Sequence, residues 1–157
     1  MRKRIITPVQ QQTAPPGLDW LNLEEIAEVE ITSEDAAHPI ESALLPGSAS
    51  GWRAASAGIQ TIRIFFSHPQ RLRRIWMNFV ETGTERTQEY VLRWSADGGQ
   101  SFREIVRQQW NFSPQGAIGE TEDHHVELPA VTVLELTIIP NTSGGKAVAS
   151  LEQLRLA

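Results

Sequence analysis

Three short stretches of this chain carry the side chains best suited to chemistry. In Glu81-Thr82-Gly83-Thr84-Glu85-Arg86-Thr87-Gln88, one guanidinium stands among carboxylates. A guanidinium can donate paired hydrogen bonds to vicinal hydroxyls, and Glu81 or Glu85 can accept from others. The same residues also suit a solvated hairpin loop whose ion pairs contribute little. Trp110-Asn111-Phe112 ends an extended run just before a Pro/Gly-rich loop. An indole face there can stack on the apolar face of a sugar ring, with Asn111 beside it. Glu120-Thr121-Glu122-Asp123-His124-His125-Val126-Glu127 is the densest ionisable cluster, and alternation places Glu120, Glu122 and His124 on one side. Two carboxylates and an imidazole can hold a divalent metal or hydrogen-bond a polyol. One short segment rarely completes a metal site, however, and an acidic lead into a strand is the plainer reading. His124 is kept as a ligand-binding candidate and no metal is assigned.

Catalytic arrangements find little support. Gly47-Ser48-Ala49-Ser50-Gly51 has the outline of a nucleophile elbow, but its centre is Ala49. Gly98-Gly99 closes a hairpin rather than opening a helix, so it is no phosphate cradle. Glycosidase chemistry needs two carboxylates facing one cleft, and no pair is singled out by its surroundings. His38 and His68 each neighbour a proline, and Arg71, Arg73 and Arg74 read as a solvated strand end. The chain contains no cysteine, which removes thiolate chemistry, disulfides and Cys-based zinc sites. The expectation is a protein without catalytic residues or a cofactor.

A chain of 157 residues, 40% of them hydrophobic, is one domain with a real core. Fourteen basic against 19 acidic residues give a net charge of −5, which disfavours nucleic-acid binding driven by counterion release. Lys3 and Lys146 are the only lysines; arginine-rich usage reflects either planar recognition or a GC-rich bacterial genome. The basic start lacks the apolar run of a signal peptide, and no stretch is long and apolar enough to span a membrane. A cytoplasmic location is expected, with no membrane partner.

The candidate residues must be positioned by strands. From Arg73 to Phe102, two alternating runs flank the 81–88 loop, with Ile75, Met77 and Phe79 on one face of the first and Tyr90, Leu92 and Trp94 on one face of the second. The second run closes in Asp97-Gly98-Gly99, a turn signal, and the two strands are expected to pair. Residues 1–18, with Pro15-Pro16 and three glutamines, read as a flexible arm in which Arg4-Ile5-Ile6 can add an edge strand. Residues 19–157 form the domain. A short helical turn is expected within 21–28, a strand at 29–33, and a long connection over 34–57. Ile62, Ile64 and Phe66 point inward from a strand at 59–67, and Pro69-Gln70 turns the chain into the next. Further strands follow at 104–112, 124–128, 131–139 and 147–156, with loops at 113–123 and 141–145. About eight short strands and almost no helix imply an all-β antiparallel sandwich.

The order strand, polar loop, Tyr90-x-Leu92-x-Trp94-Ser95-x-Asp97-Gly98-Gly99-x-x-Phe102 resembles the discoidin, or coagulation-factor type C, family. Val29-Glu30-Ile31-Thr32-Ser33, Gly47 to Trp52, Gln60 to Phe66 and Ser150 to Leu154 extend the likeness from about Val29 to Leu156. The resemblance implies a jelly-roll sandwich of galactose-binding type that binds its ligand through loops at one end. It also implies that Arg86 occupies the place of the arginine used by sugar-binding relatives, and that Trp52 is a packing residue. Many members hold a structural calcium, with an acidic residue where this chain has Leu45 and a glutamate matching Glu152; one carboxylate is a thin set for calcium. The expected function is a non-catalytic carbohydrate-binding module using Glu81, Glu85, Arg86, Trp110, Asn111 and His124. The alternative is an intracellular protein-interaction module, which an exposed apolar patch around Phe65 and Trp76 would favour.

Overall fold

A computed structural model describes residues 1–3, 19–47 and 50–157. The strand expected at Arg4-Ile5-Ile6, most of the expected arm and the centre of the 47–51 segment lie outside the described residues. Eight strands and two single-turn helices follow one another: α1 (Leu23–Ile26), β1 (Ala27–Ile31), α2 (Glu41–Leu44), β2 (Trp52–Ala57), β3 (Gln60–Val80), β4 (Arg86–Ser95), β5 (Arg103–Phe112), β6 (Gly119–Ile139), β7 (Val148–Leu151) and β8 (Gln153–Leu156). The fold is an antiparallel β-sandwich. None of the described helices is long and apolar enough to cross a membrane.

β3 and β6 run for 21 residues each, where the sequence suggested two strands apiece. The expected breaks are corners instead. The ladder between β3 and β6 shifts register between Phe65 and Arg74, and Pro69 and Pro129 both lie in that irregular stretch. A proline has no N–H to give a ladder, so it is tolerated where the ladder is already interrupted. Each long strand therefore passes from one layer into the other. One layer runs β1, the first half of β3, the second half of β6, β4, β5; in the other, the second half of β3 pairs with both β8 and the first half of β6. β2 and β7 form a separate ladder.

Contrary to expectation, the second half of β3 does not pair with β4. β4 lies between β6 and β5, and the two alternating runs face one another across the core. Their inward residues are the expected ones: Ile75, Met77 and Phe79 from one layer, Tyr90 and Leu92 from the other, all buried. Ile62, Ile64 and Phe66 join them from the first half of β3, with Leu134, Leu136 and Ile138 from β6. Fully burying side chains of this size stabilises by about 1.5–3 kcal/mol each. Trp52 is buried and donates its indole N–H to the Ser33 carbonyl at 3.1 Å. Gly51 permits that packing, because a methyl there would run into the Leu151 carbonyl and Glu152.

The turn after β4 is built as its residues suggest. Gly98 and Gly99 take φ of 75° and 96°. The Asp97 carboxylate accepts from Ser101 and Ser95, which holds its pKa well below the usual carboxylate range. On the outer face, a row of alternating charge, Glu30, Arg63, Glu135, Arg93 and Glu104, crosses five strands in register. Glu135, buried at its centre, accepts from Arg63 Nε and Arg93 Nε, each at 2.8 Å.

Candidate functional site

At one end of the sandwich, β4 starts where β5 finishes: Arg86 pairs with Phe112 and Thr87 with Asn111. Because β4 also pairs with the end of β6, the turn that follows β6 lies alongside, its Thr142 N–H donating to the Thr87 carbonyl at 2.9 Å. Between these three elements opens a depression of about 460 Å³, lined by Glu85, Arg86, Thr87, Asn111, Phe112, Asn141 and Ser143.

Arg86 is the fixed point of this cleft. Its side chain is 1% exposed. Nε donates to Glu81 Oε1 at 2.8 Å, while Nη1 donates to the Pro140 carbonyl at 2.6 Å and to Gln88 Oε1 at 3.1 Å. The guanidinium carbon sits 4.8 Å from the centre of the Phe112 ring, a cation–π contact strengthened by burial. Bonds to Nε and Nη1 leave Nη2 as the donor not committed to the protein among the described residues. A buried guanidinium so tethered loses no side-chain entropy when a ligand arrives. Around it, Thr87 Oγ1 donates to Asn111 Oδ1 at 2.7 Å, and the Ser143 N–H donates to Asn141 Oδ1 at 3.1 Å. Both amide carbonyls are thus engaged, which leaves the amide N–H groups for hydroxyl acceptors.

Of the residues singled out from sequence, Glu85, Arg86 and Asn111 meet at this cleft. Glu81 stands behind it as the partner of Arg86. Trp110, 37% exposed, lines an adjoining depression with Gln109, Asn111 and Ala117, so Asn111 is common to both. His124 is elsewhere. It lies between the layers, where its Nε2 is 2.8 Å from the Tyr90 hydroxyl and 3.8 Å from Glu122. Further along the same strand, Glu120 is 3% exposed with both carboxylate oxygens unbonded, and burial, then Glu122, push its pKa up to about 8. Glu120 faces the core rather than a substrate. Thr87, Asn141 and Ser143 carry no mark in the sequence beyond a polar turn.

The region matching the calcium site of type C domains does not suit that ion. Arg155 donates from Nη1 to the Ala43 carbonyl at 2.8 Å and from Nη2 to the Leu45 carbonyl at 3.3 Å. These loop oxygens at the end of α2 already serve a cation, and Leu45 offers no carboxylate. Trp76 is 3% exposed, so it forms no surface patch with Phe65.

A carbohydrate-binding module of family 32 from Clostridium perfringens, solved in complex with GalNAc-β-1,3-galactose, superposes with a TM-score of 0.64 at 18% identity, over 88% of this chain and 99% of that one. This chain has the discoidin, galactose-binding-like fold. The family 32 module of Clostridium perfringens NanJ, in complex with galactose, matches at 0.58 and 16% identity over 87% and 96% of the two chains. The family 32 module of AlyQ, in complex with 4,5-unsaturated mannuronic acid, matches at 0.59 and 17% over 84% and 95%. No protein-family model and no curated protein matches the sequence.

Proposed function

We propose that this protein is a non-catalytic carbohydrate-binding module whose ligand sits in the cleft of Arg86, Thr87, Asn111, Asn141 and Ser143. The observation that carries this reading is Arg86 itself, a buried guanidinium held from three directions at the base of an open polar cleft. Ion pairs on a merely solvated loop do not need such support. Trp110 stands one residue from Asn111 in the neighbouring depression, where its ring can carry a second sugar unit by stacking. Likeness in fold to modules solved with bound sugars supports the same reading. A shallow site of this kind binds one sugar weakly, with Kd of roughly 10 μM to 1 mM.

A glycan-array screen followed by calorimetry on the best ligand tests it. Asn111→Ala and Trp110→Ala should each weaken binding while the thermal midpoint stays near the parent value. A blank array with a folded sample would sink the carbohydrate reading. Protein recognition would then lead, supported by the exposed Trp110, near the end of β5, and the exposed Ile118, in the loop that joins β5 to β6.

A further inference from the structure

The charge at this cleft is arranged to choose among sugars. Only two of its lining residues are charged, Glu85 and Arg86. The positive charge of Arg86 is matched by Glu81 at 2.8 Å, so it is neutralised before any ligand enters. A carboxylate is recognised best by the two-pronged fork of a guanidinium, which needs two free N–H groups side by side. Arg86 cannot present that fork: Nε is bonded to Glu81 and Nη1 to Pro140 and Gln88, which leaves Nη2 alone. Glu85 is exposed at the rim and adds a negative charge with no ion-pair partner among the described residues. Thr87, Asn111, Asn141 and Ser143 are neutral. Glu81, Arg86 and Glu85 together therefore leave the cleft one charge negative.

We infer that the cleft takes neutral, hydroxyl-rich sugars and rejects acidic ones such as uronates. This rests on the carbohydrate reading above and narrows it. A sugar hydroxyl is donor and acceptor at once, so it can give to Glu85 while accepting from the Asn111 amide or from Nη2. A carboxylate in the same place meets Glu85 with no unpaired cation among the described lining residues to offset its desolvation. Specificity then comes from a repulsive group as much as from attractive ones. The same fold serves a module solved with an unsaturated mannuronic acid, so the fold itself does not impose the choice.

Sugar pairs that differ only at C6, as CH₂OH or COO⁻, isolate the effect: galactose with galacturonic acid, glucose with glucuronic acid, mannose with mannuronic acid, each as short oligosaccharides. Binding would be measured by calorimetry at low and at physiological salt. The neutral member of the preferred pair should bind at least about tenfold more tightly at low salt, with the gap narrowing as salt screens Glu85. Glu85→Lys should close or reverse the gap, and its exposed position leaves folding intact, as circular dichroism would verify. Equal or tighter binding of the acidic member, lost in Asn111→Ala, would overturn the selectivity while leaving the carbohydrate reading standing. Binding of no sugar by folded protein would overturn both.

Discussion

The rings of Phe79 and Tyr90 stack with centroids 5.4 Å apart and planes 25° from parallel, one from each layer of the sandwich. Tyr90 goes on to hydrogen-bond His124 at 2.8 Å. These contacts join β3, β4 and β6 across the core. Phe79→Ala should therefore cost about 3–5 kcal/mol, since it removes a fully buried ring and leaves a cavity. Tyr90→Phe keeps the stack and removes only the hydroxyl, so about 1–2 kcal/mol is expected. Urea denaturation of both variants checks the ratio; equal losses would mean the ring stack is not what the core depends on.

The same pair explains what the sequence made legible and what it hid. Alternation identifies the inward face of each run, because successive side chains of a strand point to opposite sides. It does not say whether two inward faces lie side by side or opposite each other. Ile75, Met77 and Phe79 were thus readable as core, but their partner strand was not. Pro69 and Pro129 read as strand breaks although they mark corners of continuous strands. Arg86 was identifiable from its place before the tyrosine strand, whereas its burial was not, because a principal acceptor is the Pro140 backbone carbonyl. Asn141 and Ser143 reach the cleft only through the long-range pairing of Glu89 with Ile139, which no local pattern announces.

Glu120 makes stability depend on pH in a defined direction. Folding raises its pKa from about 4.5 to about 8, chiefly by burial, with Glu122 next. Between those values the folded protein holds a proton that the unfolded chain has released, so stability must fall as pH rises through this window. The loss should amount to roughly 2–4 kcal/mol between about pH 5 and pH 8. Glu120→Gln has the same shape and no proton to lose, and should flatten the profile there. An unchanged slope in that variant would show that other groups govern it. Asp97 acts oppositely: its pKa is depressed, so its contribution is lost only as pH falls below the ordinary aspartate value of about 3.8.

Arg86 and Asn111 should separate when mutated. Arg86→Lys keeps the charge but cannot reach Glu81, Pro140 and Gln88 together while holding its cation over Phe112. It should lower stability by about 2–3 kcal/mol and weaken ligand binding as well. Asn111 is exposed and its Oδ1 accepts from Thr87 at the surface, so Asn111→Ala should leave stability within about 0.5 kcal/mol while losing affinity. Thermal melts beside titrations distinguish the two. Full stability in Arg86→Lys would mean the buried contacts do not hold the cleft in shape.

Arg155 carries the last prediction. Its guanidinium is half-buried, and desolvation lowers its pKa, yet it stays charged because carbonyls of Ala43, Leu45 and Leu154 accept from it. Ala43 and Leu45 lie at the end of α2, where peptide dipoles favour a cation. A covalently attached cation cannot dissociate, so the loop should hold its shape irrespective of calcium. The thermal midpoint should be the same in millimolar calcium and in excess chelator. Arg155→Met, which keeps the stem and removes the charge, leaves those carbonyls unsatisfied and should cost about 1–3 kcal/mol. A rise of several degrees on adding calcium to the native protein would show that the loop carbonyls and Glu152 hold the ion after all, and that Arg155 is not its replacement.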